Sequence, residues 1–202
     1  MYRHFTKRLL DMALSSVALV VLAPLMALIA VWVKVDSPGP VFFTQKRIGM
    51  NKKHFSMLKY RTMKTDAPHD TPTHLLADPE AHITRAGRVL RKLSLDELPQ
   101  LYNVLQGEMS LVGPRPALWN QDDLIAAREA SGANAMRPGL TGWAQIKGRD
   151  ELSIERKAVF DGEYARKVQF RLDAMCLWYT VEKVIRGEGI VDGVADPVRL
   201  MR

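Results

Sequence analysis

The stretch MALSSVALVVLAPLMALIAVWV, residues Met12–Val33, contains no charged side chain over its 22 residues. A helix of this length and composition can cross the hydrocarbon core of a bilayer. Pro24 lies near its middle, where proline removes a main-chain hydrogen bond and kinks or breaks a helix. The basic residues on either side are Arg3, Lys7, Arg8, Lys34, Lys46, Arg47, Lys52 and Lys53. Because basic flanks stay in the cytoplasm, the sequence predicts a re-entrant membrane helix, residues 1–36, broken at Pro24. A straight span is the alternative.

A cluster of turn-forming residues, Asp36–Pro40, ends the apolar run. Residues 37–202 then predict one small cytosolic domain of the α+β class, mainly helical, with short strands and amphipathic interfacial helices. The predicted strands are Val41–Thr44 and His54–Tyr60, joined as a hairpin, and a structured loop followed by a short strand over Met136–Gln145. The predicted helices are Thr84–Leu93, Leu98–Leu105, Ala117–Ser131, Glu151–Val168 and Phe170–Arg186. Gly107 is expected to end the second of them.

The composition narrows the classes of partner. A formal net charge of +7 favours an anionic partner. Such a partner is a nucleic acid, an acidic membrane surface or a phosphorylated substrate. A single cysteine, Cys176, excludes an internal disulfide and a Cys-based zinc cluster, and its apolar helical setting indicates a core thiol. His69, His74 and His82 stand in an acidic, proline-containing loop, where solvated side chains are more usual than a metal site.

Two adjacent carboxylates, Asp96 and Glu97, stand in the sequence KLSLDELPQ, residues 92–100. Pro99 is tolerated only in the first turn of a helix, so the helix is expected to begin close to Asp96. This local pattern favours Ser94 or Asp96 as the N-cap, with Ser94 and Glu97 forming a capping box. A carboxylate at this end also faces the positive pole of the helix dipole, where phosphate groups bind. The structural role and a chemical one are compatible.

Several arginines stand in turn-rich or helix-end contexts: Arg88, Arg91, Arg115, Arg137 and Arg149. The planar guanidinium suits bidentate contact with phosphate, although a surface ion pair explains any single one equally well. Mg²⁺ binds one or two carboxylates together with phosphate oxygens, so Asp96, Glu97 or Asp161 is a candidate ligand. A carboxylate can also attack phosphorus and form an acyl phosphate. The sequence contains no P-loop, no G-x-G-x-x-G motif and no zinc motif.

Several motifs, in order along the chain, resemble one bacterial family. They are Lys7-Arg8-x-x-Asp11, Lys59-Tyr60-Arg61-Thr62-Met63, Ser94–Gln100, Gly113–Pro116, Arg137–Gly142, Gly148-Arg149 and Asp161-x-x-Tyr164. Together they resemble the bacterial sugar transferases and, more narrowly, the catalytic core of the monotopic phosphoglycosyl transferases, from about residue 3 to residue 186. In length the chain is similar to the minimal members of that family.

The resemblance implies transfer of a sugar 1-phosphate from a UDP-sugar to polyprenyl (undecaprenyl) phosphate, with release of UMP. This is the first membrane step of glycan biosynthesis. By similarity Asp96 is the nucleophile of a ping-pong mechanism, with Mg²⁺ beside it, and Glu97 is its partner. Lys59 and Asp161 match further catalytic positions, and Arg149 matches a phosphate-binding one. The other candidates for phosphate binding are Arg88, Arg115 and Arg137.

The resemblance also implies a location and partners. The location is the cytoplasmic face of the bacterial inner membrane, in monotopic form. The partners are a bilayer with anionic lipids and downstream glycosyltransferases, with no nucleic acid. Three residues depart from the family's pattern: Ala23 where serine is frequent before Pro24, Asp150 where asparagine follows Gly-Arg, and Ile154 in place of tryptophan. Asp150 puts a negative charge near the expected phosphate site.

Two other functions remain open. One is a non-catalytic, membrane-anchored module that binds anionic lipid or nucleic acid. The other is a phosphodiesterase that releases sugar phosphate to water. Asparagine caps a helix nearly as well as aspartate, so the activity of Asp96→Asn separates a capping role from a nucleophilic one.

Overall fold

The computed structural model describes residues 2–68, 78–148 and 152–186. A π-helical turn, Tyr2–Thr6, leads into α1, Lys7–Asp36, which is long and apolar enough to cross a membrane. The helix continues through Pro24, which corrects the expectation of a helix interrupted there. Proline removes a single N–H, and a long helix can absorb that loss as a kink without ending. A return of the chain to the same membrane face stays a prediction.

α1 contacts the rest of the chain along one stripe that runs from its first turn to its last. The buried members of this stripe are Lys7, Asp11, Ser15, Ile29 and Val33. Between them, Ala18, Leu19 and Met26 are partly buried against the core. The opposite face exposes large apolar side chains, among them Leu14, Val17, Val20, Val21, Leu28 and Val31. A continuous apolar face of this size is suited to lipid.

A two-stranded antiparallel hairpin follows α1. β1, Phe42–Ile48, pairs with β2, His54–Tyr60, so that Phe42 lies opposite Tyr60 and Ile48 opposite His54. β1 is longer than predicted, because the chain reverses later, at Asn51 and Lys52, which both adopt positive φ angles. Phe55 and Met57 of β2 are buried in the core.

Between the hairpin and the centre of the chain, the described residues form three short helical segments. They are α2 (Pro79–His82), α3 (Arg85–Lys92) and a 3₁₀ turn (Leu95–Glu97). The 3₁₀ turn leads through Pro99 into α4 (Gln100–Gln106). Gly107 ends α4 in the left-handed conformation, as predicted. A Cβ atom at Gly87 would collide with the carbonyl oxygen of Thr62, so glycine allows α3 to lie directly against the segment after β2.

A second, parallel strand pair lies in the carboxyl-terminal half. β3, Ser110–Val112, pairs with β4, Gly139–Thr141. The predicted loop followed by a short strand is found, with the loop over residues 136–138 and the strand at β4. The prediction missed the short helix that begins at Trp143. The remaining helices are α5, Asp122–Glu129, α6, Trp143–Lys147, α7, Ile154–Arg166, and α8, Phe170–Arg186.

Two clusters of buried side chains form the core. The larger joins β2, α4, β3, α7 and α8 through Phe55, Met57, Leu101, Val104, Met109, Leu111, Val112, Tyr164, Leu172 and Cys176. The burial of Cys176 confirms the expected core thiol. The smaller cluster joins α1 to β2 and α3 through Ile29, Val33, Tyr60 and Leu90. α1 therefore packs against both clusters, and the division into residues 1–36 and 37–202 stays a prediction.

Candidate active site

Asp96 and Glu97 lie in the 3₁₀ turn that precedes α4, and both are buried. The predicted cap and capping box are wrong. Ser94 adopts the left-handed conformation, with φ 53°, and its side chain makes no capping hydrogen bond. An N-cap residue needs an extended backbone for its side chain to reach the next turn. Asp96 and Glu97 therefore do not cap the start of a helix.

Glu97 is held by two cations that come from different elements. Lys59 Nζ, near the end of β2, donates to Glu97 Oε1 at 2.7 Å. Arg115 Nη2, in the turn after β3, donates to the same oxygen at 3.3 Å. The Lys59 and Glu97 side chains are 16% and 10% exposed, so this contact is largely shielded from water. Glu97 therefore fixes the positions of both cations.

Asp96 is buried, yet no hydrogen bond to its carboxylate is found within the described residues. Burial raises the pKa of Asp96, and the neighbouring Glu97 charge adds to that increase. Lys59, Arg91 and Arg115 oppose it electrostatically. A desolvated carboxylate beside fixed cations, with no partner of its own, has the properties of a nucleophile toward an anionic substrate.

A cavity of about 510 Å³ connects these residues to a second acidic group. Its walls include Lys59, Arg91, Asp96, Glu97, Arg115, Arg128 and Asp161. Asp161, on α7, is 1% exposed and is bound by Arg128 of α5. Burial raises the pKa of Asp161, while Arg128 and Lys157 act in the opposite direction. The cavity thus has a cationic region around Asp96 and an acidic group at α7.

A family model described as bacterial sugar transferase matches residues 2–187. The chain belongs to the bacterial sugar transferase family. It is 42% identical over 184 residues to the protein named "Uncharacterized sugar transferase EpsL" of Bacillus subtilis, an alignment that covers 91% of this chain and 89% of that one. Both proteins have similar lengths.

Longer members of the bacterial sugar transferase family match over part of their length. The "Undecaprenyl-phosphate glucose phosphotransferase" of Komagataeibacter xylinus is 41% identical over 191 residues, which is 89% of this chain and 36% of that protein. The "UDP-glucose:undecaprenyl-phosphate glucose-1-phosphate transferase" of Xanthomonas campestris pv. campestris is also 41% identical. That alignment covers 91% of this chain and 40% of the Xanthomonas protein. The chain therefore spans well under half of these two relatives.

In this sugar transferase the structure brings together five of the residues predicted for the site. Lys59, Asp96, Glu97, Arg115 and Asp161 all line the one cavity. Their individual roles stay predictions. Arg149 lies outside the described residues.

Two arginines predicted to bind phosphate do not reach this cavity. Arg88 points outward from α3 and pairs with Glu80 at 2.8 Å, with its side chain 67% exposed. Arg137 donates from Nε to the Gly107 carbonyl at 2.9 Å, beyond the end of α4. Arg91 lines the cavity instead, because at 100° per residue it lies only 40° around α3 from the buried Gly87.

Arg128 was not predicted from sequence. It stands on the short helix α5 with no motif around it, and its partner Asp161 is 33 residues further on. The one available signal is burial, since a charged residue in line with Leu124 on α5 falls on the inner face of that helix.

The donor set fits a magnesium ion that is bound mainly through substrate. Among residues 2–68, 78–148 and 152–186 there is no group of three or more possible metal ligands. Glu97 and Asp161 each form an ion pair with a basic side chain, which leaves Asp96 as the cavity carboxylate without an ion pair among the described residues. Mg²⁺ commonly binds one or two carboxylates plus phosphate oxygens and water, so a single aspartate is sufficient on the protein side.

Both ends of α1 are tied to the body that carries this cavity. At the amino-terminal end, Arg8 donates to the carbonyls of Val104 and Leu105, at the end of α4, at 2.6 and 2.9 Å. Asp11 accepts from Ser110 Oγ at 2.7 Å and from the Leu111 N–H at 3.1 Å. The motif Lys7-Arg8-x-x-Asp11 therefore serves to fix the helix.

The carboxyl-terminal end of α1 is fixed by different groups. Asp36 Oδ2 accepts from the Ala86 N–H at 2.9 Å, in the first turn of α3. The buried guanidinium of Arg61 donates to the carbonyls of Ser37, Pro38 and Pro40, at 2.6 to 2.8 Å. Tyr60 OH donates to the Met26 carbonyl at 2.8 Å. The exposed apolar stretch of α1 lies between these two sets of anchors.

Proposed function

We propose that this protein transfers a sugar 1-phosphate from a UDP-sugar to polyprenyl phosphate, releases UMP, and forms a covalent intermediate on Asp96. The observation that carries the proposal is the Asp96 carboxylate, which is buried and without a hydrogen-bond partner among the described residues, beside Lys59, Arg91 and Arg115. The printed names of the Komagataeibacter and Xanthomonas relatives support the same lipid acceptor, and the Xanthomonas name supports a UDP-sugar donor.

In the first half-reaction the three cations bind the diphosphate and direct the phosphorus that carries the sugar toward Asp96. A carboxylate oxygen of Asp96 attacks this phosphorus. The bond to the bridging oxygen breaks, and its electron pair leaves with UMP. Fixed cations stabilise the charge that develops on the phosphoryl oxygens, because they need no reorganisation during the reaction.

In the second half-reaction an oxygen of the lipid phosphate attacks the same phosphorus. The Asp96 carboxylate is the leaving group, and the products are the free enzyme and a polyprenyl diphosphate sugar. An ionised phosphate needs no base for this attack. Glu97 is therefore assigned a positioning role, since its Oε1 already accepts from Lys59 and Arg115.

Mg²⁺ is proposed as the cofactor, with Asp96 as its protein ligand. When bound, it supplies positive charge to the diphosphate and so favours departure of UMP. Within the described residues, the chain contributes the Asp96 carboxylate and the cations Lys59, Arg91 and Arg115. These cations hold the substrate phosphates in a site that excludes much of the solvent.

The membrane arrangement proposed is monotopic, with the domain at the cytoplasmic face of the bacterial inner membrane. A helix of 30 residues is about 45 Å long, yet both ends of α1 make hydrogen bonds to the same small domain. This favours a helix that enters one leaflet and stays on one side over a helix that spans. Basic residues near both ends suit anionic lipid headgroups.

The test is a transfer assay with the purified protein, UDP-glucose as first donor, other UDP-sugars in parallel, and undecaprenyl phosphate. Wild type is expected to form UMP and lipid-linked sugar, while Asp96→Asn is folded and inactive. Full activity in Asp96→Asn contradicts the proposal. Sugar phosphate released to water without lipid identifies a phosphodiesterase, and anion binding without turnover identifies a binding module.

Topology is tested by labelling single cysteines with an impermeant reagent in intact cells. A cysteine at residue 2 is expected to be protected, like one placed after Lys52. Labelling at residue 2 alone contradicts the monotopic arrangement and indicates a full span. The buried native Cys176 adds little background.

A further inference from the structure

Arg128 and Asp161 form a buried ion pair of uncommon geometry. Arg128 Nε and Nη2 both donate to Asp161 Oδ2, at 2.8 and 2.6 Å. The other carboxylate oxygen, Oδ1, has no hydrogen-bond partner within the described part of the chain. A guanidinium facing a carboxylate side-on usually engages both oxygens. Here one oxygen takes both bonds and the other is left available.

In a largely buried site, an acceptor without a protein donor needs a donor from water or from a ligand. Arg128 and Asp161 are 6% and 1% exposed, and both line the cavity that contains Asp96. A group bound in that cavity can supply the missing donor. An ion pair with a purely structural role would gain more by using all four of its contact atoms.

A second side chain on the same cavity lacks partners. Gln145, on α6, is 7% exposed, and neither its Oε1 nor its Nε2 has a hydrogen-bond partner among the described residues. α6 is joined to α7, the helix of Asp161, by a hydrogen bond from Trp143 Nε1 to Glu163 Oε2 at 3.0 Å. Two neighbouring helices thus contribute unpaired polar groups to one cavity.

We infer that Arg128 is a positioning residue that presents Asp161 Oδ1 to a hydroxyl group of the nucleotide sugar, with the Gln145 amide contacting the same ligand. This inference rests on the proposed function. A carboxylate oxygen repels phosphate, and the phosphates are attracted to the cations around Asp96. A polyprenyl chain has no hydrogen-bond donor. Apart from the single N3–H of uracil, the donors that a UDP-sugar offers are the hydroxyl groups of the ribose and of the transferred sugar.

The experiment removes the pair without leaving a charge buried alone. The double variant Arg128→Met with Asp161→Leu replaces the pair by apolar groups, an exchange that is often neutral for stability. Arg128→Lys keeps the charge but loses the fork, and so covers the case in which the double variant fails to fold. Glu129→Gln, the next residue on α5, is the matched control, because Glu129 pairs with the exposed Lys52. Melting temperature, KM, kcat and the Kd values of UMP and UDP-glucose are measured for each.

In the double variant KM and Kd for UDP-glucose are expected to rise roughly ten- to hundredfold, the loss typical of a hydrogen bond to a charged group. Its kcat is expected to change by no more than about threefold, because the contact is also made in the ground state. Arg128→Lys is expected to show a smaller increase in the same direction. Glu129→Gln is expected to match wild type.

The Kd of UMP distinguishes a hydroxyl group of the ribose from one of the transferred sugar. If Asp161 contacts ribose, the Kd of UMP rises with that of UDP-glucose. If it contacts the transferred sugar, the Kd of UMP is unchanged. Both results support the inference. A folded variant that binds both ligands as wild type does overturns it. Binding is measured without lipid, so a wild type that binds UDP-glucose but transfers nothing contradicts the proposed function and leaves this inference standing.

Discussion

Replacement of Lys59 by methionine tests whether the cation is fixed for chemistry. The change keeps the apolar stem and removes the ammonium that contacts Glu97 Oε1 at 2.7 Å. Removing one partner of a buried pair costs about 3–5 kcal/mol, whereas an exposed pair is worth about 0–1 kcal/mol. Arg115 still contacts the same oxygen at 3.3 Å, so Glu97 keeps at least that cation. We therefore expect a loss of about 2 kcal/mol, an intermediate value.

For a chain of about 200 residues this loss lowers the melting temperature by about 4–8 °C. Activity falls further, because Lys59 is one of three cations around Asp96. Loss of one preorganised charge of this kind lowers kcat by about 100- to 1,000-fold. The assay is initial-rate UMP release at saturating UDP-sugar and lipid, beside a thermal melt of the same sample. Lys59→Arg, which keeps the charge, is expected to retain stability and part of the activity.

The reasoning is refuted if Lys59→Met loses stability as expected yet keeps kcat within threefold of wild type. The contact with Glu97 would then serve only to hold β2 against the 3₁₀ turn. If instead the variant keeps its stability and loses activity, the ion pair is weaker than its burial implies, while the role of the cation in catalysis stands.

Four further predictions concern single residues. Because burial raises the pKa of Asp96, kcat/KM plotted against pH should fall on the acid side with an apparent pKa above the ordinary aspartate value of 3.8. An apparent pKa at or below that value argues against the buried nucleophile. For the same reason Asp96→Asn should melt higher than wild type at neutral pH, with the gain vanishing at acidic pH where Asp96 is protonated. Arg91→Met should lower activity and Arg88→Met should not, since only Arg91 lines the cavity; equal losses would reverse that assignment. Asp36→Ala should lower stability by about 1 kcal/mol in a thermal melt, because it removes the acceptor of the Ala86 N–H.

The sign of the Asp96 effect separates two interpretations of the same residue. A folded-state pKa above the unfolded value means that the folded state binds the proton more tightly. Ionisation then costs stability as the pH rises between the two values, and the neutral asparagine avoids that cost. A capping aspartate would show the opposite sign, since its ionised form stabilises the helix.

The sequence predicted much of the fold where its signals are local. The apolar run became α1, the alternating pattern became β2, and Gly107 ended α4. It failed where tertiary contacts decide. The short strand β4 was predicted, but its parallel pairing with β3, about 30 residues earlier, was not. The capping pattern around Ser94 was overridden by a left-handed backbone at that residue.

For the site, too, local motifs were predictive and features that depend on tertiary packing were not. Motif positions that resemble the family identified Lys59, Asp96, Glu97, Arg115 and Asp161, which do meet in one cavity. Charge and residue type alone could not rank the arginines, because the side of a helix that faces the cavity depends on its packing. The buried Gly87 gives the phase of α3, and that phase selects Arg91 over Arg88.

The remaining contacts of the site cannot be predicted from local pattern. Arg128 reaches Asp161 only after α5 and α7 pack together. No spacing rule connects residues so far apart on two separate helices. The unpaired amide of Gln145 is likewise visible only once its surroundings are known.

The central claim is a covalent phospho-sugar on Asp96, and the most direct measurement is intact mass spectrometry of the protein mixed with UDP-glucose and Mg²⁺ in the absence of lipid. Wild type should gain the mass of one hexose phosphate less one water and release one UMP per chain. The adduct should lie on the peptide that contains Asp96 and should disappear when undecaprenyl phosphate is added. Asp96→Asn should gain no mass. A wild type that turns over UDP-glucose with lipid, yet carries no adduct and releases no UMP without it, would contradict the account and indicate direct transfer between the two substrates.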